Sequence, residues 1–123
     1  MASNKKFRFG PVALTTTLTT NLLNPAAASG GVNAGSSAQY IVLNHVRITN
    51  KTNAAATFST WLGATGANAA GTEVLGTARS VPANSEFDYY GALRLDAADF
   101  LVGGSGTATA LTITGEGEVG VSG

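Results

Sequence analysis

The chain has no cysteine among its 123 residues, so neither a disulfide nor a thiolate metal site can support the fold. Charge is scarce as well. Only 11% of residues are Asp, Glu, Lys or Arg, against roughly 25% in an ordinary soluble domain, so the surface must rely on Thr, Ser, Asn and Gly. Such a surface is suited to being covered. There is one histidine, His45, and any Ser-His-Asp or histidine-metal chemistry would have to pass through it. No apolar run reaches the roughly 18 residues of a membrane span, and the opening MASNKKFRFG lacks the apolar stretch of about 7 to 15 residues that marks a secretory signal. The expectation is a soluble chain, made in the cytoplasm and without a membrane partner, whose stability comes from packing or assembly.

What is present points to β-structure in a single domain, which a chain of this length can furnish with one core. Ala, Gly, Thr and Ser fill half of the sequence. They keep side-chain bulk low while supplying β-branched Thr, which suits a pleated, half-buried surface. The formal net charge is zero but unevenly spread. Residues 1–72 hold Lys5, Lys6, Arg8, Arg47 and Lys51 and no acid, whereas all seven acids, with Arg79 and Arg94, lie in residues 73–123. Two arrangements would neutralise the halves: strands of opposite halves side by side in one sheet, or head-to-tail contact between subunits. Lys5, Lys6 and Arg8 are too few for a nucleic-acid footprint, which usually covers a whole face.

Along the chain, KKFRFG is basic and aromatic, and Val12, Leu14, Thr16 and Leu18 then alternate as a half-buried strand requires, so residues 7–20 read as extended. Asn24-Pro25 ends that segment. The small-residue stretch at 25–38 reads as a flexible loop. QYIVLNHVRIT at 39–49 is the strongest strand, with Tyr40, Val42, Asn44, Val46 and Ile48 on one face and Ile41, Leu43, His45 and Arg47 on the other; two partly apolar faces suit a central position. NKTN at 50–53 is a turn, and ATFSTWLGA completes a hairpin. Residues 63–71 form a loop, 73–80 a short weak strand, Pro82-Ala83-Asn84 a turn, and EFDYYGALRL at 86–95 a strand in which Gly91 suggests a bulge or bend. Asp96 to Asp99 resembles one helical turn capped by Asp96, after which Gly103, Gly104 and Gly106 break the pattern. ATALTITGEGEVGV is the last strand. The count is seven or eight short antiparallel strands about 8 to 12 residues apart and no amphipathic helix, which predicts an all-β single sandwich or jelly roll. The parts are 1–24 (an extended N-terminal arm and first strand), 25–38 (the loop) and 39–123 (the sandwich body).

Candidate chemistry is thin. His45 lies mid-strand beside Arg47, where a sheet-face histidine is the ordinary outcome, since catalytic groups favour loops on a rigid scaffold. GEGEVG at 115–120 matches G-x-G-x-x-G, but that loop must open a helix and only three residues follow; its glycines instead let the strand lie close to a neighbour. Glu116 and Glu118 project from one face and want basic partners. Asp96, Asp99 and Asp88 lack the Gly-punctuated loop of a calcium site, and Asn50-Lys51-Thr52, a formal glycosylation sequon, is a turn. No catalytic residue, cofactor or metal is expected, and the chain is read as a non-enzyme. Trp61, Tyr89 and Tyr90 are the candidate interface anchors, because adjacent tyrosines in an alternating strand face opposite ways and only one face meets the core. The candidate interface set is Lys5, Lys6, Phe7, Arg8, Phe9, Trp61, Tyr89, Tyr90, Glu116 and Glu118.

Three runs, ITNKTNAAATFSTWLGATG, VPANSEFDYYGALRLDAADFLVGG and ATALTITGEGEVGV, give residues 40–121 a layout that resembles small virion proteins of tailed phages, particularly those of actinobacterial hosts. Similar layouts recur in head-decoration, neck and tail-associated proteins. The resemblance implies a jelly-roll-like sandwich, often trimeric, whose N-terminal arm reaches a neighbouring subunit. It implies a structural protein of the virion, assembled in the host cytoplasm, that cements the capsid by contacts with itself and with the major capsid protein. The alternatives are a neck or tail component and, from another class, a receptor- or glycan-binding module using the loops at 63–71 and 102–107 around Trp61.

Overall fold

The computed structural model describes residues 5–24, 37–64, 66, 68, 70–96 and 99–122, and among them there is no helix. Eight strands follow one another: β1 (Lys5–Ala13), β2 (Asn21–Leu23), β3 (Ser37–Asn50), β4 (Ala56–Gly63), β5 (Arg79–Val81), β6 (Ser85–Asp96), β7 (Phe100–Ser105) and β8 (Leu111–Ser122). They form two four-stranded sheets, ordered β1-β8-β3-β6 and β2-β7-β4-β5, and every pairing is antiparallel. The expected all-β sandwich is what forms. Its order follows one rule: β1 pairs with β8, β2 with β7, β3 with β6 and β4 with β5. The chain is thus one long antiparallel ribbon, rolled so that β3 also meets β8 and β4 also meets β7.

The core lies between the sheets. Phe9, Ile41, Leu43, Val46, Ile48, Leu95, Ile113 and Val119 come from the first sheet, and Leu23, Ala56, Phe58, Val81 and Leu101 from the second, in one cluster. Each fully buried Leu, Ile or Phe contributes roughly 1.5–3 kcal/mol, so this cluster supplies the cohesion that a cysteine-free chain needs. Polar side chains are buried as well, and one of them organises a turn. Asn50 is wholly buried, and its amide donates to the carbonyls of Ala54 (2.9 Å) and Val81 (3.0 Å). Its Oδ1 accepts from the N–H (2.9 Å) and hydroxyl (2.7 Å) of Thr52. One amide thereby closes the β3–β4 turn and ties it to β5. The turn expected at Asn50-Lys51-Thr52 is present, but β3 and β4 leave it for different sheets, so the hairpin expected of them does not form.

Several local expectations are corrected. On β3, Ile41 and Leu43 face the core, but so do Val46 and Ile48. The register shifts between Leu43 and His45 against both neighbours, and Asn44 is the extra residue relative to β8, so side-chain parity changes there. His45, Arg47 and Thr49 consequently share the outer face with Tyr40 and Val42. The irregularity expected at Gly91 is present, since the shifted stretch of β6 is Gly91-Ala92.

The glycines at 103 and 104 do not end structure. They lie in β7, between β2 and β4, beside the fully buried Leu101 and Val102. A Cβ on Gly103 would collide with the Ser59 carbonyl and come within 2.8 Å of Thr60 Cγ2, so glycine here serves close strand packing.

The expected strand at 73–80 shrinks to an isolated bridge at Glu73 and the three residues of β5, because Leu75 and Ala78 take positive φ (67° and 49°) that extended backbone excludes. At Asp96 the expected cap is reversed: the Asp99 carboxylate accepts the Asp96 N–H at 2.9 Å.

The N-terminal segment also differs from an outreaching arm. Residues 5–13 form β1, in register along β8. The extended stretch then ends, and the buried Leu14 anchors the crossing to the second sheet. Of the expected loop at 25–38, residues 25–36 lie outside the described residues, and 37–38 belong to β3.

Candidate functional site

The outer face of the first sheet collects the chemistry. Directly paired residues of an antiparallel sheet share a face, so the register sets two rows across it. Lys6 lies opposite Glu118, which is opposite Val42, which is opposite Arg94; beside that row run Arg8, Glu116, His45 and Tyr90. The basic half of the sequence supplies β1 and β3, and the acidic half supplies β6 and β8. Strands of the two halves thus lie side by side in one sheet, the first of the two arrangements expected, with Arg47 and Asp88 paired across it.

At the centre Asp88 joins two bases. Its Oδ1 lies 2.7 Å from His45 Nε2 and accepts from Arg47 Nε at 2.8 Å, while Oδ2 lies 3.4 Å from Arg47 Nη2. The Arg47 hydrogen bond, followed by that of His45, holds the Asp88 carboxyl below its ordinary value, and the same contact raises Arg47 above its own. On its other side, His45 Nδ1 is 3.4 Å from Glu116 Oε1. The imidazole thus bridges β6 and β8. Its ring stacks on Tyr90 with centroids 4.5 Å apart and planes inclined by 9°, which fixes the orientation of a tyrosine that is 70% exposed. Farther along, the Arg94 guanidinium lies 4.3 Å over the Tyr40 ring and donates to Asp96 at 2.7 Å.

Next to this network opens a shallow pocket of about 180 Å³ lined by Arg8, His45, Arg47, Thr114, Gly115 and Glu116. Arg47 is committed to Asp88, whereas Arg8 makes no ion pair among the described residues. The pocket can therefore receive a polar or anionic side chain through the Arg8 guanidinium. It does not have the form of a nucleophilic site. No hydroxyl bonds to His45 among the described residues, and the Thr114 hydroxyl donates to the Phe9 carbonyl at 3.0 Å. Among the described residues no cluster of His, Asp and Glu has the arrangement of a metal site; the Asp99 carboxylate is turned on the Asp96 N–H and the Asp96 carboxylate on Arg94.

The ten candidate interface residues are divided by the fold. Lys6, Arg8, Tyr90, Glu116 and Glu118 are gathered on this one outer face, where Lys6, Arg8, Tyr90 and Glu116 are exposed and Glu118 half-buried. Tyr89 points the other way, half-buried against the core. Phe9 and Trp61 are placed elsewhere than expected, at 4% and 7% exposure. Phe9 alternates with Arg8 along β1 and so turns inward, and Trp61 is covered within the second sheet, opposite Val102 and Glu73. The side chains of Lys5 and Phe7 lie outside what the structure describes. Sequence reasoning missed Asp88, Arg47 and the role of His45 as a bridge. The signal available was charge order alone, since His45 and Arg47 meet the outward Asp88 only once the Asn44 bulge turns them to the same face. Compared with protein-family models, curated proteins and solved structures, the chain shows no match.

Proposed function

We propose that this protein is a structural component of a tailed-bacteriophage virion and that it decorates the capsid lattice as a cement protein. The observation that carries the proposal is the strand order. Sheets ordered 1-8-3-6 and 2-7-4-5, built from one rolled antiparallel ribbon, support a jelly-roll reading, an architecture used by viral capsid and lectin domains. Fold alone does not assign function; the resemblance of residues 40–121 to small virion proteins supplies the class, and the outer face of the first sheet supplies a surface. Its ion network is internally neutralised and its Tyr90 is held by stacking, so little side-chain freedom is lost when a partner covers it. The major capsid protein is the proposed partner, with the Arg8 pocket receiving one of its polar or acidic side chains. Each bound copy stabilises the assembled shell by mass action. The virion is the proposed location, reached by assembly in the host cytoplasm.

A neck or tail position is the alternative within the same class. The glycan-binding alternative loses its platform, because a tryptophan at 7% exposure offers no ring face for a sugar to stack on. No catalytic role is proposed for His45.

The test is the light-scattering mass of mixtures of the purified protein with capsid shells stripped of it. Rebinding in a fixed ratio is expected, and Arg8→Ala should weaken it by about tenfold, equivalent to about 1.4 kcal/mol, with the fold unchanged. Binding to isolated necks or tails but not shells would move the protein there. Binding to none of them would overturn the virion assignment.

A further inference from the structure

The first sheet has two open edges, β1 and β6. β6 is twelve residues long, and among the described residues no backbone group of 86–95 bonds to a strand other than β3. An unpaired edge of this length is a template for another strand, and neither proline nor lysine blunts it. Its alternation is kept through the irregularity at Gly91-Ala92. Phe87, Tyr89, Leu93 and Leu95 turn to the core, whereas Glu86, Asp88, Tyr90, Arg94 and Asp96 lie opposite outward residues of β3. Phe87, Tyr89 and Leu93 are only half-buried; the Arg79 guanidinium lies 4.4 Å over the Phe87 ring, and among the described residues the rest of the apolar row at this rim is partly accessible.

The strand is complementary to its own reverse. Laid antiparallel against a second β6 with Tyr90 opposite Tyr90, the outer row sets Glu86 opposite Arg94 twice and Asp88 opposite Ala92 twice. The inner row sets Phe87 opposite Leu93 twice. No like charges meet. A slip of two residues one way sets Glu86 against Asp96, which offsets the Asp88–Arg94 pairs it gains, and a slip the other way sets Glu86 against Ala92, so net charge pairing favours one register. Glu86 makes no ion pair among the described residues, Asp88 is already committed to Arg47, and Arg94 holds Asp96 through Nε, which leaves its terminal guanidinium N–H groups for Glu86 of the second copy. The 70% exposure of Tyr90 then falls on the symmetry axis.

We infer that β6 is an interface for a second copy of this chain, which adds its own β6 across a two-fold axis at Tyr90 and joins the two first sheets into one eight-stranded sheet. The contact is isologous and closed. It departs from the trimer that the phage resemblance implies, and it goes beyond the virion assignment without depending on it.

A chain without cysteine allows a direct test of register. Tyr90→Cys should form an intermolecular disulfide in oxidised glutathione, because directly opposed residues bring their Cα atoms to roughly 4.5–5.5 Å. Glu86→Cys alone should stay unlinked, and a mixture of Glu86→Cys and Arg94→Cys chains should link. The unmodified protein should sediment at twice the chain mass. E86R and R94E should each raise the dissociation constant by about tenfold or more, and the double variant should restore pairing. A wild-type monomer or trimer, or Tyr90→Cys chains that stay unlinked, would overturn the inference. A linked dimer that binds no phage particle would support the pairing while removing the virion assignment, and a monomer that rebinds shells would do the reverse.

Discussion

Gly117 lies so close to Val42 that a Cβ on it would fall within the Val42 carbonyl oxygen, with Leu43 Cα only 2.9 Å away. The approach occurs beside the Asn44 bulge, where β8 passes opposite Leu43 and then immediately opposite His45. Backbone bounds this site, so no side chain can rotate away. Gly117→Ala should therefore destabilise the fold by about 1–3 kcal/mol or more, as overpacking does, read as a lowered urea midpoint. An unchanged midpoint would mean that β3 and β8 can separate without loss of their hydrogen bonds.

Asn50→Ala should cost about 2–4 kcal/mol. The substitution leaves the Val81 and Ala54 carbonyls without the amide that serves them, and an unsatisfied buried group costs about 1–3 kcal/mol. Denaturant unfolding measures the loss. Replacing the exposed neighbour Lys51 by Ala, within about 0.5 kcal/mol of the parent, is the control.

Stability should fall in acid through Asp88. Its carboxyl is held below the ordinary value by Arg47 and His45; a depressed folded-state value means that the contribution is fully present above the unfolded-state value near 4 and is lost as pH falls through the folded one. Thermal melts between pH 6 and 2 should show this decline. Asp88→Asn should start less stable at pH 6 and lose less on acidification, and parallel curves for the two proteins would remove Asp88 from the account.

Deleting residues 2–10 should destabilise the fold itself. The cut removes most of β1, including Phe9 at 4% exposure, and leaves the edge of β8 bare along Gly115–Val119. Phe9→Ala alone is expected to cost about 3–5 kcal/mol. Circular dichroism melts of both variants check the point; a deletion variant that melts with the parent would return residues 2–10 to the role of an external arm.

Much of the fold was legible, because the period-2 patterns of QYIVLNHVRIT, EFDYYGALRL and ATALTITGEGEV extend over many residues, as do β3, β6 and β8 themselves. Local pattern failed where a distant backbone decided the outcome. Nothing in Asn44 announces a bulge, yet that residue moves His45 to the surface and Val46 into the core. Gly103 reads as a breaker in isolation and is a packing requirement once Ser59 lies against it. Trp61 and Phe9 looked like anchors because aromatic residues serve interfaces and cores alike, and only the register of β1 and β4 separates the two uses. Of the candidate surface, charge order foretold that Glu116 and Glu118 would meet basic residues but not which ones, and the Asp88 cluster depended on the bulge.

The insertion of β8 between β1 and β3 sets the order in which this protein can come into being on the ribosome. Phe9 meets Gly115, so β1 emerges early and waits through the synthesis of most of the sandwich for β8, the one strand it pairs with among the described residues. β3 can meet β6 sooner, but its other side stays open until residues 111–122 leave the exit tunnel. Pairings so distant in sequence form slowly, and unpaired edges are where nascent chains stick to one another. Until β8 arrives, the uncharged Thr, Ser and Asn side chains that make up much of this low-charge sequence are what stands between those edges and other chains.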